Sequence, residues 1–419
     1  EFRRVLFRSG RERILNALDH KDTDRVPVDF GGHRSSGISV QSYIELRKAL
    51  GLPPSKLYIY DFIQQLVLIE DDVYEKIPTD VVKLGQIYLK RPGYWKDWTL
   101  EDGTPCKIPA FIDVVRQSDG DAVYGANGKM ICIKRKGCLY FEQTYFPYAD
   151  SDDETFEDIL YNLEHILWWK LGVPPAPAGF DEAGLAQMRK DAIELRGSTD
   201  KAIYAIFGGN LVEMSQFAFK IDNIMCEMAL NPERVHTFLD RLMEMHRVNL
   251  KKFVDAVGDY VDVIGFGDDM GTQNGPQFSP DMYREFFQPR HKELWSAVRR
   301  YNPNLRTNLH CCGSIDRLLP DIIAAGIDSI NPVQINCSGM SPEHLKEAYG
   351  KNIAFWGGGC DSNVCMSASP QQVAEHVEKN VRIFYEGSGF IFQHVHNILA
   401  NVPPQNIITM FGTVRSFGK

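Results

Sequence analysis

The segment from His310 to Ser314 carries the residue types best suited to hold a metal ion. It follows residues 305–309, which we interpret as a short strand. Side chains two positions apart on a strand point to the same face, so His310 and Cys312 are expected to aim an imidazole and a thiolate at one space. Both are ligands that a borderline-soft ion such as Zn²⁺ prefers. The sequence therefore predicts a metal site at the end of this strand, and with it an enzyme.

A third ligand is needed, and Cys360 is the candidate from the sequence. It comes just after another short apolar run, residues 353–356. Three protein ligands with one open position are the arrangement of a catalytic zinc, which can ionise a bound thiol or act as a Lewis acid. A histidine and a cysteine packed without metal remain the alternative, because cysteine is among the most buried residue types.

The elements that must position these ligands alternate between short strands and long helices. Strand–helix alternation favours a parallel sheet, and eight such strands would close a (β/α)8 TIM barrel of the α/β class. There are nine candidate strands, so one is surplus, and residues 57–60 compete with residues 81–84 for one place. The candidates are residues 26–30, 57–60, 81–84, 202–206, 261–264, 305–309, 327–330, 353–356 and 389–392.

Residues 90–150 break this alternation. Their turn signals between short apolar runs predict antiparallel β-hairpins inserted into the barrel, and the proline-rich turn at residues 173–177 returns the chain to it. Residues 1–9 look like the translation of a sequencing adapter, so we expect the native text to begin near Gly10. A single barrel domain over residues 10–419 is the resulting prediction.

Catalytic groups of a barrel sit where its strands end, in the loops that follow. Polar side chains gather there along this chain, which supports both the barrel and the site. We expect Asp269 with Gln273 in the substrate pocket, although the aspartates could merely cap their loop. His33 and Arg34, in the first loop, are candidate substrate ligands or surface residues. The other strand-end candidates are Asp61 and His396 for catalysis, and Asn210 and Gln334 for substrate binding.

Composition excludes several classes of partner. The chain has 419 residues, 44% of them hydrophobic, and a net charge of −9 with no basic run, which argues against nucleic acid. No stretch is long and apolar enough for a membrane span. Nine cysteines without a framework of spacings predict free thiols and a cytoplasmic protein. Trp168 and Trp169, in a helical pattern with leucines, are expected in the core.

The chain resembles the uroporphyrinogen decarboxylase (URO-D) superfamily, and more closely its corrinoid-dependent methyltransferase branch. The likeness runs from about residue 11 to 415, and its motifs are specific as a set. They are residues 11–13 and 24–28 at the opening, 267–273, 279–280 and 310–313 in the middle, and 395–397 and 402–407 at the close.

This resemblance implies a zinc methyltransferase. It would move a methyl group between a small O-methyl or N-methyl compound, or a thiol, and a corrinoid carried by a separate protein. In the related enzymes the last zinc ligand falls where this chain has His396, which could replace or join Cys360. Gln334 stands where a distant relative has a glutamate ligand, so we place it behind the ligands. Related barrels often form homodimers.

Two other functions stay open. The first is a decarboxylase of the uroporphyrinogen type, in which Asp61 would match the catalytic aspartate. That enzyme holds its substrate's carboxylates with an arginine-rich loop after the first strand, whereas Arg34 is the one arginine of this loop. The second is a metal-binding barrel without turnover, which predicts metal but no methyl transfer.

Overall fold

The computed structural model describes residues 8–85, 91, 93–172 and 180–418. The proline-rich turn at residues 173–177 and most of the suspected adapter lie outside these described residues. Ser9, which the sequence assigned to the adapter, caps the first helix: its hydroxyl accepts from the backbone N–H of Glu12, whose carboxylate accepts from the backbone N–H of Ser9.

The strands of the described residues are short. In chain order they are Ile59–Asp61 (β1), Leu66–Val67 (β2), Val81–Lys83 (β3), Trp95–Thr99 (β4), Pro105–Pro109 (β5), Val114–Arg116 (β6), Gly120–Tyr124 (β7), Met130–Arg135 (β8), Glu142–Gln143 (β9), Ala202–Gly208 (β10), Val263–Gly267 (β11), Arg306–His310 (β12), Ser329–Asn331 (β13), Ala354–Trp356 (β14) and Phe390–Ile391 (β15).

The helices range from single turns to the long α9. They are Gly10–Leu18 (α1), Val40–Ala49 (α2), Asp71–Lys76 (α3), Ile159–Leu163 (α4), Leu167–Leu171 (α5), Glu182–Ser198 (α6), Val212–Phe219 (α7), Ile221–Leu230 (α8), Pro232–Val257 (α9), Pro280–Met282 (α10), Gln288–Tyr301 (α11), Leu319–Ala325 (α12), Pro342–Tyr349 (α13), Ser362–Ser367 (α14), Pro370–Tyr385 (α15) and Pro404–Ser416 (α16).

One parallel sheet organises the fold. Its seven strands lie in the order β15, β14, β13, β12, β11, β10, β3, and helices connect most of the neighbours. The sheet curls, because residues 28–29 bond to both of its edges. The backbone N–H of Asp29 donates to the Phe392 carbonyl at 2.8 Å, and the backbone N–H of Asp80 donates to the Val28 carbonyl at 2.7 Å. The α/β class and the TIM-like curvature are therefore confirmed.

Of the two candidate strands for one place in the barrel, residues 57–60 and 81–84, only the second joins the parallel sheet. Val81–Lys83 joins the parallel sheet beside β10, whereas Ile59–Asp61 pairs antiparallel with Leu66–Val67 outside it. Residues 95–143 form two further antiparallel sheets, β4 with β5 and β6 through β9.

Two helices, rather than one, span residues 221–257. Asn231 separates α8 from α9, and Pro232 occupies the first helical position of α9. Proline has no backbone N–H to continue a preceding helix, so the chain restarts there. Helix α16, which the sequence analysis did not predict, buries Ile407, Met410 and Phe411.

The interior of the curled sheet is filled by its own inward side chains. Val81, Tyr204 and Trp356 form a buried cluster with Ile14 and Ala17 of α1, which packs on β3, β10 and β15. The candidate site lies at the carboxyl end of the strands, where His310, Cys312 and His396 are found. Among the described residues, no helix has the length and apolar character needed to cross a membrane.

We expect Asp80→Ala to destabilise the fold by about 3–5 kcal/mol, because it breaks a buried ion pair by removing one partner. Asp80 is 2% exposed, pairs with Arg13 at 3.1 Å and Arg25 at 2.7 Å, and accepts the Val28 N–H at 2.9 Å. Urea denaturation measures the loss.

The matched control is Asp255→Ala, which removes an exposed pair with Lys251 on α9. Such a pair contributes about 1 kcal/mol or less. Equal losses in the two variants would contradict the role given to Asp80.

Candidate metal centre and its cavity

Three side chains converge at the carboxyl end of the sheet. His310, Cys312 and His396 each offer a ligand atom, and all three atoms lie within 4.8 Å of one another. His310 Nε2 and Cys312 Sγ are 3.5 Å apart. Zinc bonds of roughly 2.0 and 2.3 Å at a tetrahedral angle place nitrogen and sulfur about 3.5 Å apart. The donor types, and the spacing of His310 and Cys312, therefore fit a zinc ion.

The loop after β11 holds the Cys312 turn in place. The backbone N–H of Cys312 donates to Asp269 Oδ1 at 2.7 Å, and its carbonyl accepts from Gly271 at 3.1 Å. Gly313 follows with φ +85°, and a Cβ there would lie 2.4 Å from the Gly271 carbonyl carbon. Glycine is required at position 313 both for this conformation and for this close approach.

Asn331, at the end of β13, fixes the His310 ring. Its Oδ1 accepts from His310 Nδ1 at 2.8 Å and from the Ser35 hydroxyl at 2.5 Å, while its Nδ2 donates to the Trp356 carbonyl and to Gln393 Oε1. These partners set the orientation of the amide. His310 then carries its proton on Nδ1, and Nε2 keeps a free lone pair toward Cys312.

His396 reaches the cluster through an unusual backbone conformation. Its φ is +61°, a left-handed value that is costly for a residue with a Cβ and is typical of functional sites. The carbonyl of His396 bonds to His394 Nδ1 at 3.0 Å. Burial lowers the pKa of His396 to about 3, so its imidazole is neutral and able to bind a metal at ordinary pH.

The structure does not bring Cys360, the candidate that the sequence offered as third ligand, to the converging group. Cys360 is fully buried, and its thiol lies 3.7 Å from the Asp361 carbonyl oxygen. The cause is the glycine run before it, since Gly357 and Gly358 have positive φ and redirect the chain after β14. His396, the alternative that the resemblance raised, occupies the third place.

A cavity of about 340 Å³ opens beside His310 and His396. That size is within the range for small-molecule sites. Its wall combines five aromatic side chains with polar and small residues. It is lined by His33, Arg34, Ser35, Ile63, Gln64, Tyr140, Phe141, Trp168, Ile206, Gly208, Asn210, Glu213, Met214, Phe217, Phe266, Gly267, Asp269, His310 and His396.

His33 and Arg34 both lie in this lining. His33 is buried, and its Nδ1 accepts from the Ser35 N–H at 2.9 Å, so Nε2 carries the proton. Nε2 has no hydrogen-bond partner among the described residues. It is therefore a donor available to a ligand.

Arg34 is held from two sides. Its Nε donates to Asp61 Oδ2 at 2.6 Å, and its guanidinium lies 4.8 Å from the Trp168 ring centroid. Asp61 is fully buried behind Arg34 and also accepts from Gln64. Asp61 therefore supports the Arg34 side chain. Trp168, which was expected in the core, instead lies in the cavity wall against the Arg34 guanidinium.

Neither of the two candidate glutamines lines the cavity. Gln273 is exposed, and its Oε1 accepts from the Cys337 thiol at 3.3 Å, so it is not brought to the cavity with Asp269. Gln334 accepts the backbone N–H of Gly313. It supports the turn after Cys312, which agrees with a place behind the ligands.

Sequence analysis gave Glu213 no role, although it follows the strand-end residue Asn210. Glu213 lies in the first turn of α7, lines the cavity, and accepts from Asn210 Nδ2 at 2.5 Å. Its own N–H donates to the buried Asp268 at 3.0 Å. Burial, Asp269 and Asp268 raise the pKa of Glu213 well above its usual range. A carboxylate close after a strand end was the one signal available for it.

Comparisons with known proteins agree with this architecture. The sequence model of the family described as uroporphyrinogen decarboxylase (URO-D) matches residues 212–417, which include all three converging ligands. No curated protein matches the chain.

Among solved structures, the chain is similar to a methyltransferase from Methanosarcina mazei. The TM-score is 0.60 and the identity 17%, over 98% of this chain and 100% of the other, which shows a shared fold. The catalytic domain of an Ignisphaera aggregans GH53 protein matches with a TM-score of 0.36 and 12% identity over 94% of this chain and 99% of its own. That weaker likeness supports no conclusion.

We expect Asn331→Ala to weaken metal binding by about 10–100-fold, because His310 loses the partner that fixes its ring and tautomer. Competition with a chromophoric chelator measures the zinc affinity. Asn336→Ala, an exposed asparagine five positions along the same segment, is the control and should leave the affinity unchanged. An unaltered affinity in Asn331→Ala would contradict the orienting role.

Zinc binding should release about one proton from Cys312, since the thiolate is the ligand form. Burial and Asp269 raise the pKa of the Cys312 thiol well above its usual range, so the metal-free thiol is protonated near neutrality. The apparent zinc affinity should accordingly rise with pH. A pH indicator in weakly buffered solution measures the release, and Cys312→Ser should show none.

Proposed function

We propose that this chain, which belongs to the URO-D superfamily through residues 212–417, is a zinc-dependent methyltransferase that moves a methyl group between a small methylated compound and a corrinoid carried by a separate protein. The observation that carries the proposal is the convergence of His310, Cys312 and His396, two of which line a cavity. A cofactor-free decarboxylase has no use for such a donor set.

The residues around the candidate metal site have different roles. His310, Cys312 and His396 would hold the ion, and Asn331 keeps the His310 lone pair directed at it. When bound, zinc supplies a Lewis acid that lowers the pKa of an oxygen or sulfur ligand. Asp269 holds the Cys312 backbone in position.

The cavity provides the place for the methyl compound. His33 offers an unpartnered Nε2–H, and Arg34 presents a guanidinium supported by Asp61. Cobalt must reach the transferred methyl group, so the corrinoid protein would dock over the mouth of this cavity. The described neighbour from Methanosarcina mazei, named a methyltransferase, has the same fold and is consistent with this assignment.

The architecture that we propose around the site is a closed eight-stranded barrel. The segment that bonds to β15 and β3 would be its remaining strand, and the antiparallel sheets of residues 95–143 its insertion. Residues 10–419 would form one domain, and two copies could form a homodimer. The nine cysteines are all free, which favours the cytoplasm.

The alternative decarboxylase is less well supported. Its substrate is held by several cations, whereas Arg34 is the only arginine or lysine among the described lining residues, which also include Glu213 and Asp269. A metal-binding barrel without turnover has the same ligands and differs only in the reaction.

Metal content and methyl transfer test the proposal together. We expect about one zinc per wild-type chain, the ratio of a single three-ligand site, and its loss in Cys312→Ser and His396→Ala. Cys360→Ser is the matched control: a buried cysteine outside the converging group, whose loss should leave the metal in place.

Transfer is measured with free cobalamin in the Co(I) state and a panel of methyl ethers, methylamines and thiols. Metal-free wild-type protein that binds a porphyrinogen would overturn the methyltransferase in favour of the decarboxylase. Metal without transfer to or from any member of the panel would favour the barrel without turnover.

A further inference from the structure

A second cavity, of about 450 Å³, lies between the turn that joins β1 to β2 and the antiparallel sheets of residues 95–143. We call it the outer cavity. Its lining comes from that turn, from the start of α2, from β4, β7 and β8, and from the loops that follow β4 and β8. Its size is within the range of small-molecule sites. Its lining shares only Phe141 with that of the 340 Å³ cavity beside His310 and His396, the metal-site cavity.

One short segment separates the outer cavity from the metal-site cavity. Phe62 and Gln65 line the outer cavity. The two residues between them, Ile63 and Gln64, line the metal-site cavity. Phe141 lines both: its N–H donates to the Ile63 carbonyl at 3.0 Å, and its ring lies 4.5 Å from that of Phe62 between centroids. The outer cavity is therefore a separate chamber, and its wall is one chain segment thick.

Gln65 presents an acceptor without a partner in this wall. Its φ is +56°, a left-handed value that is costly for a residue with a Cβ and that clusters at functional sites. Its side chain is 6% exposed, and its Nε2 donates to the Phe62 carbonyl at 2.6 Å, which fixes the orientation of the amide. Its Oε1 accepts no hydrogen bond from any described residue. This oxygen is available to an N–H donor of a ligand.

The charged side chains of the lining leave one negative charge unanswered. Glu101 pairs with Lys134 at 3.4 Å, and Asp121 pairs with Arg116 at 2.9 Å. Asp102, which also lines the cavity, forms no ion pair with any residue that the structure describes. Interfaces are stable and specific when their charges are complementary, so this lining favours a cation and disfavours an anion.

The rest of the wall is apolar and includes three rings. Phe62, Leu100 and Phe141 are buried, whereas Trp98 is half-buried and Leu139 is 42% exposed. Aromatic side chains pack against other rings by stacking and by edge contacts. The outer cavity thus combines a surface for a flat apolar body with an unpartnered acceptor and an unanswered negative charge.

We propose that the outer cavity is a second ligand site and that it binds a primary arylalkyl amine, in which a short chain joins an aromatic ring to an ammonium group. The ring packs against Trp98 and Phe62, and the ammonium group donates to Gln65 Oε1 and faces Asp102. The size, the apolar wall and the two polar groups are each matched by one part of such a molecule. Binding requires neither zinc nor methyl transfer, so this inference stands apart from the proposed function.

The charge of the ligand is tested with three probes of similar size. They are 2-phenylethylammonium, the neutral 2-phenylethanol and the anionic 3-phenylpropionate, and isothermal titration calorimetry measures their affinities for the full chain. We expect the amine to bind about tenfold or more tightly than the carboxylate, because like charges in a binding site are unfavourable. An alcohol or a carboxylate that binds as tightly as the amine would overturn the proposal, as would an amine that does not bind.

Cys138 reports where the amine binds. It lines the outer cavity and is exposed, and Cys226 on α8 is the other exposed cysteine of the described residues. Alkylation by N-ethylmaleimide, followed by peptide mass spectrometry, measures the rate at each thiol. We expect saturating amine to slow the reaction of Cys138 and to leave that of Cys226 unchanged.

An unchanged rate at Cys138 would place the amine elsewhere and overturn the proposal. Protection of Cys138 that grows with protein concentration, in the absence of any amine, would show instead that a second copy of the chain covers this face. That result would overturn the proposal as well.

Two variants test the polar groups. Asp102→Asn removes the charge and keeps an acceptor for the Thr104 N–H, which Asp102 Oδ1 binds at 2.9 Å. We expect the preference for the amine over the alcohol to fall by about threefold, the scale of an exposed charge pair. Gln65→Met removes the acceptor, and because a hydrogen bond to a charged group is lost, the amine should bind about tenfold more weakly.

The matched control is Asp113→Asn. It removes an exposed aspartate of the same inserted region that lies outside the lining, and it should bind all three probes as wild type does. Wild-type affinity for the amine in both Asp102→Asn and Gln65→Met would overturn the proposal. Should Gln65→Met fail to fold, Asp102→Asn and the protection of Cys138 still decide the outcome.

Discussion

The hydrogen bond between His310 and Asn331 is the contact on which the rest of the site depends. It joins the ends of β12 and β13 and gives His310 a single tautomer and a single ring orientation. Asn331 is in turn fully bonded, to Ser35 from the first loop, to the Trp356 carbonyl of β14 and to Gln393 after β15. Groups from across the sheet thereby hold one imidazole, and a buried polar network of this kind is rigid because each member is satisfied.

The loop after β11 links the metal ligands to the acidic wall. Its residue Asp269 holds the Cys312 backbone, while its neighbour Asp268 accepts two N–H groups at the start of α7, one of them from Glu213. The first N–H groups of a helix lack partners within it, and a carboxylate supplies them well. The position of Glu213 in the cavity is therefore set by the same loop that sets Cys312.

His394 helps to hold His396 in place. Its Nδ1 bonds to the His396 carbonyl at 3.0 Å, and His396 has a left-handed φ of +61°. Cys360 is buried outside the converging group.

The sequence by itself determined the strand–helix order, the end of the sheet where the site lies, and the His310 and Cys312 pair. Those features follow from local rules, namely the period of two along a strand and the common direction of parallel strands. It also placed His33, Arg34 and Asp269 near the site, because each follows a strand directly. Only the tertiary structure decided between Cys360 and His396, moved Gln273 away, and gave Glu213 a place in the wall.

The reason is physical: those choices depend on loop conformations, such as the positive φ of His396 and of the glycines before Cys360, and on contacts between segments far apart in the chain. Residues 57–60 and 81–84 have similar local patterns, so the sequence could not choose between them. Pairing with β10 placed Val81–Lys83 in the sheet.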